Sequence, residues 1–306
     1  LLPYVALMAS VDSLHRMTRE DRDLAGLVVS GSDHLSTYTA YAEAFERCGF
    51  LGEVYGLPRQ LFDESVERWA EGRGVLVKSV EDSALAMASI YRSVGLPLPS
   101  RMPRTTPAIE RRFIELLARV MPFDLVIDEQ TSRGDEARVS KTSVAGSWGA
   151  IAGTLRYFAD KFGVPRAAIE GTQIPGDLVR RHATTDAPRL VYDPARRERP
   201  LALERRVTYF GFELEREREP ITGFPEGMAD EARRVLAEAM ARGEARHQAV
   251  PRNRQWIEEV REVWRRSGGR TARMSQAELT AWYAEQLREV ENLDDFRRAP
   301  LRFDAD

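Results

Sequence analysis

Four prolines, at positions 97, 99, 103 and 107, fall within the twelve residues LPLPSRMPRTTP. Each ring fixes φ and removes a backbone donor, so no helix propagates through the stretch, and only Pro107 is placed to open the next one. The segment is a boundary with an extended path, and Arg101 and Arg104 on it are expected to be exposed. Before it, apolar residues recur at helical spacing; after it comes the first run with strand character. The expected fold class is mainly α with an α+β middle module. The boundaries are a helical domain over residues 1–100, an α+β accessory module with a small mixed sheet over 101–218, and a helical tail over 219–306.

The first domain is organised around residues 31–52, GSDHLSTYTAYAEAFERCGFLG. Ser32 or Asp33 offers an N-cap oxygen to an orphan N–H of the first turn. Leu35, Tyr38, Ala42, Phe45 and Phe50 then form one apolar stripe, and Gly49 ends the helix. Residues 3–17 place Val5, Leu7, Met8, Val11 and Leu14 along a second helical face. Residues 59–72 do the same with Leu61, Phe62, Val66 and Trp69 behind Pro58. At the head of residues 79–95, Ser79 and Asp82 stand in the positions of a capping box.

The SDHL start, the aromatic and small residues on one helix face and the short GF exit resemble a segment of the DEAH-box RNA helicases. In that family a GDHL-like or SDHL-like tetrapeptide opens a long helix of the ratchet domain behind the motor. Val28 and Val29 before it, and the later stretch SVEDSALAMASIYRSVG, sit at a similar spacing, so the resemblance covers about residues 1–100. Near the C-terminus, an NR pair, an acidic-basic helix and a second helix with a WY pair resemble the distal tails of bacterial members. The resemblance implies a ratchet-like helical domain that borders a channel for single-stranded RNA. It also implies an ATP-hydrolysing core earlier in the same polypeptide, so the chain is expected to be a piece of a longer one. Neither a GxxxxGK[ST] loop nor a DEAH box occurs here, so ATP and Mg²⁺ would belong to that core and these residues would hold no cofactor of their own. The family's final module is an OB-like barrel; residues 101–218 do not present five regular strands and depart from it.

In the middle module, residues 107–121 stack Ile109, Phe113, Leu116, Leu117 and Val120 on a helix, and FDLVIDE at 123–129 reads as a strand. TSRGDEARVSKTS is a polar loop, followed by a predicted helix over residues 145–163 with Gly146, Gly149 and Gly153 on one side. A short helix over 174–183 and a strand over 189–193 come next. Residues 203–215 read as one or two strands with Val207, Tyr209 and Gly211 on one face and Phe210, Phe212 and Leu214 on the other, hence covered on both sides. The tail has helices over 225–245, stripe Met228, Ala232, Val235, Leu236 and Ala239, and over 253–267, stripe Trp256, Ile257, Val260, Val263 and Trp264. Ser275 and Glu278 form a capping box before Leu279, Trp282, Tyr283 and Leu287.

The chemistry is sparse. The histidines at 15, 34, 182 and 247 have no metal-ligand spacing, so no metal is expected. His34, in a helix first turn, has a packing or capping role or contacts RNA or a neighbouring domain. Asp128 and Glu129 are a solvated strand end or a carboxylate pair for acid–base work or Mg²⁺. The hydroxyls of SKTSVAGS have no histidine at a telling spacing. No catalytic residue is assigned. The single cysteine, Cys48, reads as a small packed residue and fits a reduced, cytoplasmic setting. There is no apolar run of about 18 residues and no basic leader, so neither a membrane partner nor a signal peptide is expected.

Charge is more informative. The net charge is -3, yet Lys and Arg outnumber Asp and Glu by 21 to 17 over residues 101–218, against 9 to 14 before and 15 to 17 after. Phosphates are therefore expected in the middle. The candidate nucleic-acid-binding set is Arg133, Arg138, Lys141, Trp148, Arg156, Arg180, Arg181, Arg196 and Arg197, with Tyr157 and Lys161 beside it. Arginine and lysine pair with phosphates and the aromatics stack on unpaired bases. The implied partners are single-stranded RNA or another nucleic acid, and the helicase core of the same chain. The rival readings are a protein-interaction scaffold and a stand-alone enzyme with a site near residues 123–150.

Overall fold

A computed structural model describes residues 1–11, 14, 23–48, 64–268 and 275–301. The expectations for Gly49, Phe50, residues 59–63 and His15, and for the side chains of Cys48, Val66 and Trp264, lie outside what it describes. The chain divides into two compact units: Leu1–Ala183 with Tyr209–Phe212, and Thr184–Thr208 with Glu213–Asp306. Among the described residues there are ten helices and two small sheets, so the fold is mixed α/β and the mainly α expectation is corrected. No described helix is long and apolar enough to cross a membrane.

The first unit opens with helices α1 (Leu2–Met8), α2 (Asp33–Cys48), α3 (Glu64–Arg73), α4 (Val77–Ser93) and α5 (Pro107–Val120). The ring of Tyr4 stacks on that of Tyr38 at 3.8 Å, and both hydroxyls donate to the carbonyl of Pro103, at 3.2 and 2.7 Å. The proline stretch is thus pinned to the helical layer, while Arg101 and Arg104 stay exposed. α5 opens at Pro107 as expected, and the structure adds a cap in which Thr106 Oγ1 accepts the Ile109 N–H.

Two helix expectations are corrected. α1 stops at Met8, and Leu14 is buried beyond it. α4 starts at Val77 with no side-chain cap; Ser79 is inside it, where its carbonyl accepts the Ser83 hydroxyl. Tertiary anchoring sets that start, because the Leu76 N–H donates to the carbonyl of Leu14.

The sheet of this unit runs β1 (Asp124–Ile127), β3 (Ala150–Ala159), β4 (Pro165–Ile174), β2 (Ala137–Val139), and α6 (Gly176–Arg181) follows it. β3 pairs antiparallel with β1 and β4, and β2 runs parallel to β4. The predicted helix over 145–163 is therefore a loop and a strand. Gly153 lies directly opposite Gly171, where a Cβ on either would fall 1.9 or 2.1 Å from a carbonyl oxygen of the partner strand. The glycine spacing serves a close strand approach and not a helix face.

The second unit centres on β7 (Leu201–Tyr209), with which β5 (Thr184–Thr185) and β6 (Arg189–Tyr192) pair antiparallel and β8 (Phe212–Pro220) also pairs. Helices α7 (Ala229–Arg242), α8 (Ala249–Arg266), α9 (Gln276–Gln286) and α10 (Leu293–Arg298) complete it. Leu190 and Leu201 pack with Val235, Leu236, Met240, Tyr283, Leu287 and Phe296 as its core. The Ser275–Glu278 capping box forms as expected, and Asn292 caps α10. The expectation that residues 203–215 are covered on both faces is corrected. Phe210 is exposed, and β8 carries alternating charges that pair with Glu204 and Arg206 of β7 instead of an apolar layer.

Candidate nucleic-acid interface

Alternation along β3 and β4 decides what each face of the first sheet carries. On one face Ala137, Ile151, Ala167 and Ile169 pack with Val126. On the other, Ala168 is the register partner of both Arg138 on β2 and Arg156 on β3, so the three form one row across three strands. The two arginine positions are two strand spacings apart, about 9.5 Å, with only a methyl group between them. The next row towards the hairpin turn pairs Phe158 with Arg166, and the row the other way pairs Thr154 with Glu170. Because Ala168 fills so little space, the row is a trough. Its cavity of about 600 Å³ is lined by Arg138, Lys141, Arg156, Phe158, Arg166 and Ala168, together with Glu136, Ser140, Thr142 and Glu170.

Several charges in this trough pair with one another. Glu136 pairs with Arg138 at 2.7 Å and with Arg166 at 3.5 Å, and Arg166 reaches Asp160 at 3.3 Å. These pairs are half-exposed, and such pairs contribute roughly 0–1 kcal/mol, so a phosphate competes with them. Glu170 is held by the hydroxyls of Ser140, at 2.9 Å, and Thr142. The cationic end of the trough is thus defined by Arg138, Arg156 and Arg166, and Glu170 marks the other end.

The wall of the trough is positioned from the start of α2. Ser32 Oγ accepts the Leu35 N–H, capping the helix, and shares a 2.6 Å hydrogen bond with Thr172 Oγ1. Asp33 accepts the Ser143 hydroxyl at 2.5 Å, the Val144 N–H at 2.8 Å and the Gly171 N–H at 2.8 Å. It thereby ties the loop bearing Lys141 and Thr142 to β4. Burial pushes the Asp33 carboxyl above its ordinary pKa, against the three hydrogen bonds that favour its charged form. His34 is 8% exposed, its Nδ1 lies 2.8 Å from Thr172 Oγ1, and its ring stacks on Phe123 at 4.7 Å. It is packed and hydrogen-bonded inside the unit.

Of the candidate set, the structure brings Arg138, Lys141 and Arg156 into one trough. Arg133 is on the exposed turn between β1 and β2, and Trp148, 70% exposed, precedes β3 with its carbonyl accepting the Gln173 amide. Arg180 and Arg181 are on α6, where Arg181 pairs with Glu115 and Asp177. Arg196 and Arg197 belong to the second unit, Arg196 paired with Asp193 at 3.5 Å. Asp128 and Glu129 form a turn with φ of 48° and 61°, and Asp128 accepts the Gly149 N–H. His182 bonds Glu115 at 2.7 Å. Arg166, Phe158 and Glu170 were missed from the sequence. Only the β3–β4 register brings them to the trough; a hairpin reading of FADKFGVPR would have paired Phe158 with Arg166.

No protein-family model and no curated protein matches the chain. Among solved structures, the E. coli DExH-box NTPase HrpB is similar over 97% of this chain, with 13% sequence identity and a TM-score of 0.37. The chain spans 36% of the length of that protein.

Proposed function

We propose that these residues are the C-terminal part of an ATP-dependent RNA helicase of the DEAH-box kind, and that the trough on the first sheet holds single-stranded RNA. The observation that carries the reading is the Arg138–Ala168–Arg156 row, flanked by Lys141, Arg166 and Phe158. Cations at about two strand spacings, with an aromatic ring beside them, suit a phosphodiester chain with unpaired bases. The SDHL helix, whose resemblance first suggested the family, positions the loop that forms one wall. ATP and Mg²⁺ fit no residues of this chain, which has no phosphate loop, so they are assigned to a core elsewhere in the same polypeptide. The setting proposed is cytoplasmic.

The reading is tested by titrating single-stranded RNA at several salt concentrations against the chain and its Arg138→Ala/Lys141→Ala variant. Losing two phosphate contacts is expected to weaken binding and to shallow the salt slope by roughly one unit or more. Unchanged affinity and slope would remove the trough as the site. A natural gene with no P-loop and DExH motif upstream of these residues would remove the helicase assignment.

A further inference from the structure

The turn that joins β3 to β4 presents apolar side chains that the unit's own core does not use. Phe162 is 79% exposed, Tyr157 67%, Phe158 52% and Val164 44%. The turn that holds them is built by specific bonds. Asp160 accepts the N–H groups of Phe162 and Val164 at 2.8 and 2.9 Å, its own N–H donates to the Val164 carbonyl, and Gly163 takes the left-handed φ of 76° that the turn requires. Those N–H bonds hold the Asp160 carboxyl below its ordinary pKa. Asp160 also pairs with Arg166, which ties the turn to the trough. Lys161 lies 5.0 Å from the centre of the Phe162 ring.

An aromatic ring held out in water by a defined turn is positioned for a flat partner, and the cations around it select an anionic one. Phe158 connects the two regions, since it lines the trough and stands in the row of Arg166, four residues before Phe162. We infer that the tip of the β3–β4 hairpin is a base-stacking end of the trough, with Phe162 and Phe158 taking unpaired bases of a strand whose phosphates lie along Arg156 and Arg166. This rests on the proposed function and sharpens it: the ligand is recognised through its bases as well as its charge, so single strands are preferred to duplexes and to base-free polyanions.

The test uses an oligouridine of about twelve nucleotides, a length such grooves span, and an abasic oligomer of equal charge. Fluorescence anisotropy is read for the wild-type chain and for the Phe162→Ala, Phe162→Trp and Arg138→Ala/Arg156→Ala variants. Phe162→Ala is expected to weaken oligouridine binding about tenfold with no change in salt slope, Phe162→Trp to restore it, and the abasic oligomer to be insensitive to both. Equal affinity for the two oligomers, or no effect of Phe162→Ala, would overturn the stacking end while an effect of the arginine variant kept the trough. An effect of Phe162→Ala on oligouridine without one from the arginines would keep the stacking end and remove the trough. Phe162-dependent binding to anionic phosphatidylserine vesicles, with no binding of either oligomer, would overturn both in favour of a membrane surface. Phe162 is solvent-facing, so circular dichroism of its variants is expected to match the wild type.

Discussion

Oδ2 of Asp33 accepts the backbone N–H of Gly171 at 2.8 Å, across 138 residues of chain. That bond joins the first turn of α2 to β4 at the residue that faces Gly153 of β3, and the same carboxylate holds Ser143 and Val144. The stability of the sheet and the placement of the trough wall therefore share one largely buried carboxylate.

Replacing Asp33 with alanine strands the N–H groups of Val144 and Gly171 and is expected to cost about 2–4 kcal/mol in urea unfolding. The pH dependence has an unusual sign for a carboxylate. The folded pKa is raised by burial, so the folded state holds the proton more tightly. The associated stability is fully present below the unfolded value near 3.8 and is lost as pH rises through the higher folded value. Asp33→Asn removes this slope, so its stability relative to wild type is expected to rise with pH across that window.

Gly171→Ala places a methyl 2.1 Å from the Ala152 carbonyl oxygen, and Gly153→Ala places one 1.9 Å from that of Glu170. Both of these contacts are with backbone, which cannot rotate aside. Each variant is expected to lose about 3 kcal/mol or to fail to fold, measured by thermal unfolding. An alanine at the open Gly176 is the control and is expected to be neutral or nearly so.

Glu204 is 1% exposed on β7 and accepts Arg189, Arg206 and Arg218, each at 2.7 Å. The arginines are partly solvated, so water screens the charge they would keep if the carboxylate were lost. Glu204→Gln is expected to destabilise the second unit by about 1–3 kcal/mol without affecting nucleic-acid affinity, which denaturant melts and the anisotropy titration would read together.

His247, buried beside Phe296, has an Nδ1 that accepts the Ala249 N–H. Burial, aided by Arg252, pushes its pKa below 6.5. The unfolded state then binds the proton more readily, so stability is full above 6.5 and is lost as pH falls from there through the lower folded value. His247→Gln is expected to flatten that acid-side loss, seen as a melting temperature that no longer drops as the pH falls below 6.5.

Local signals in the chain were legible where one element specifies itself. The Pro107 start of α5, the Ser275 cap, the Asp124–Ile127 strand and the core stripe of α7 all follow from neighbours a few residues apart. The central hairpin did not, because Ala150 to Gly153 are buried on both faces and their apolar run has no period that separates strand from helix. That one misreading hid the Ala168 row and so hid Arg166 and Phe158. Arg138, Lys141 and Arg156 were still visible as cations in a basic segment, since charge is readable without knowing the register. β2 is three residues long and held by β4, so nothing local announced it.

The most direct measurement is photocrosslinking of an oligomer containing 4-thiouridine, with the attachment sites read by peptide mass spectrometry. The account predicts attachment on β3, β4 and their turn, at Phe158 and Phe162, and its loss in Arg138→Ala/Arg156→Ala. Attachment confined to α5, α6 or the second unit, unaltered in that variant, would contradict it.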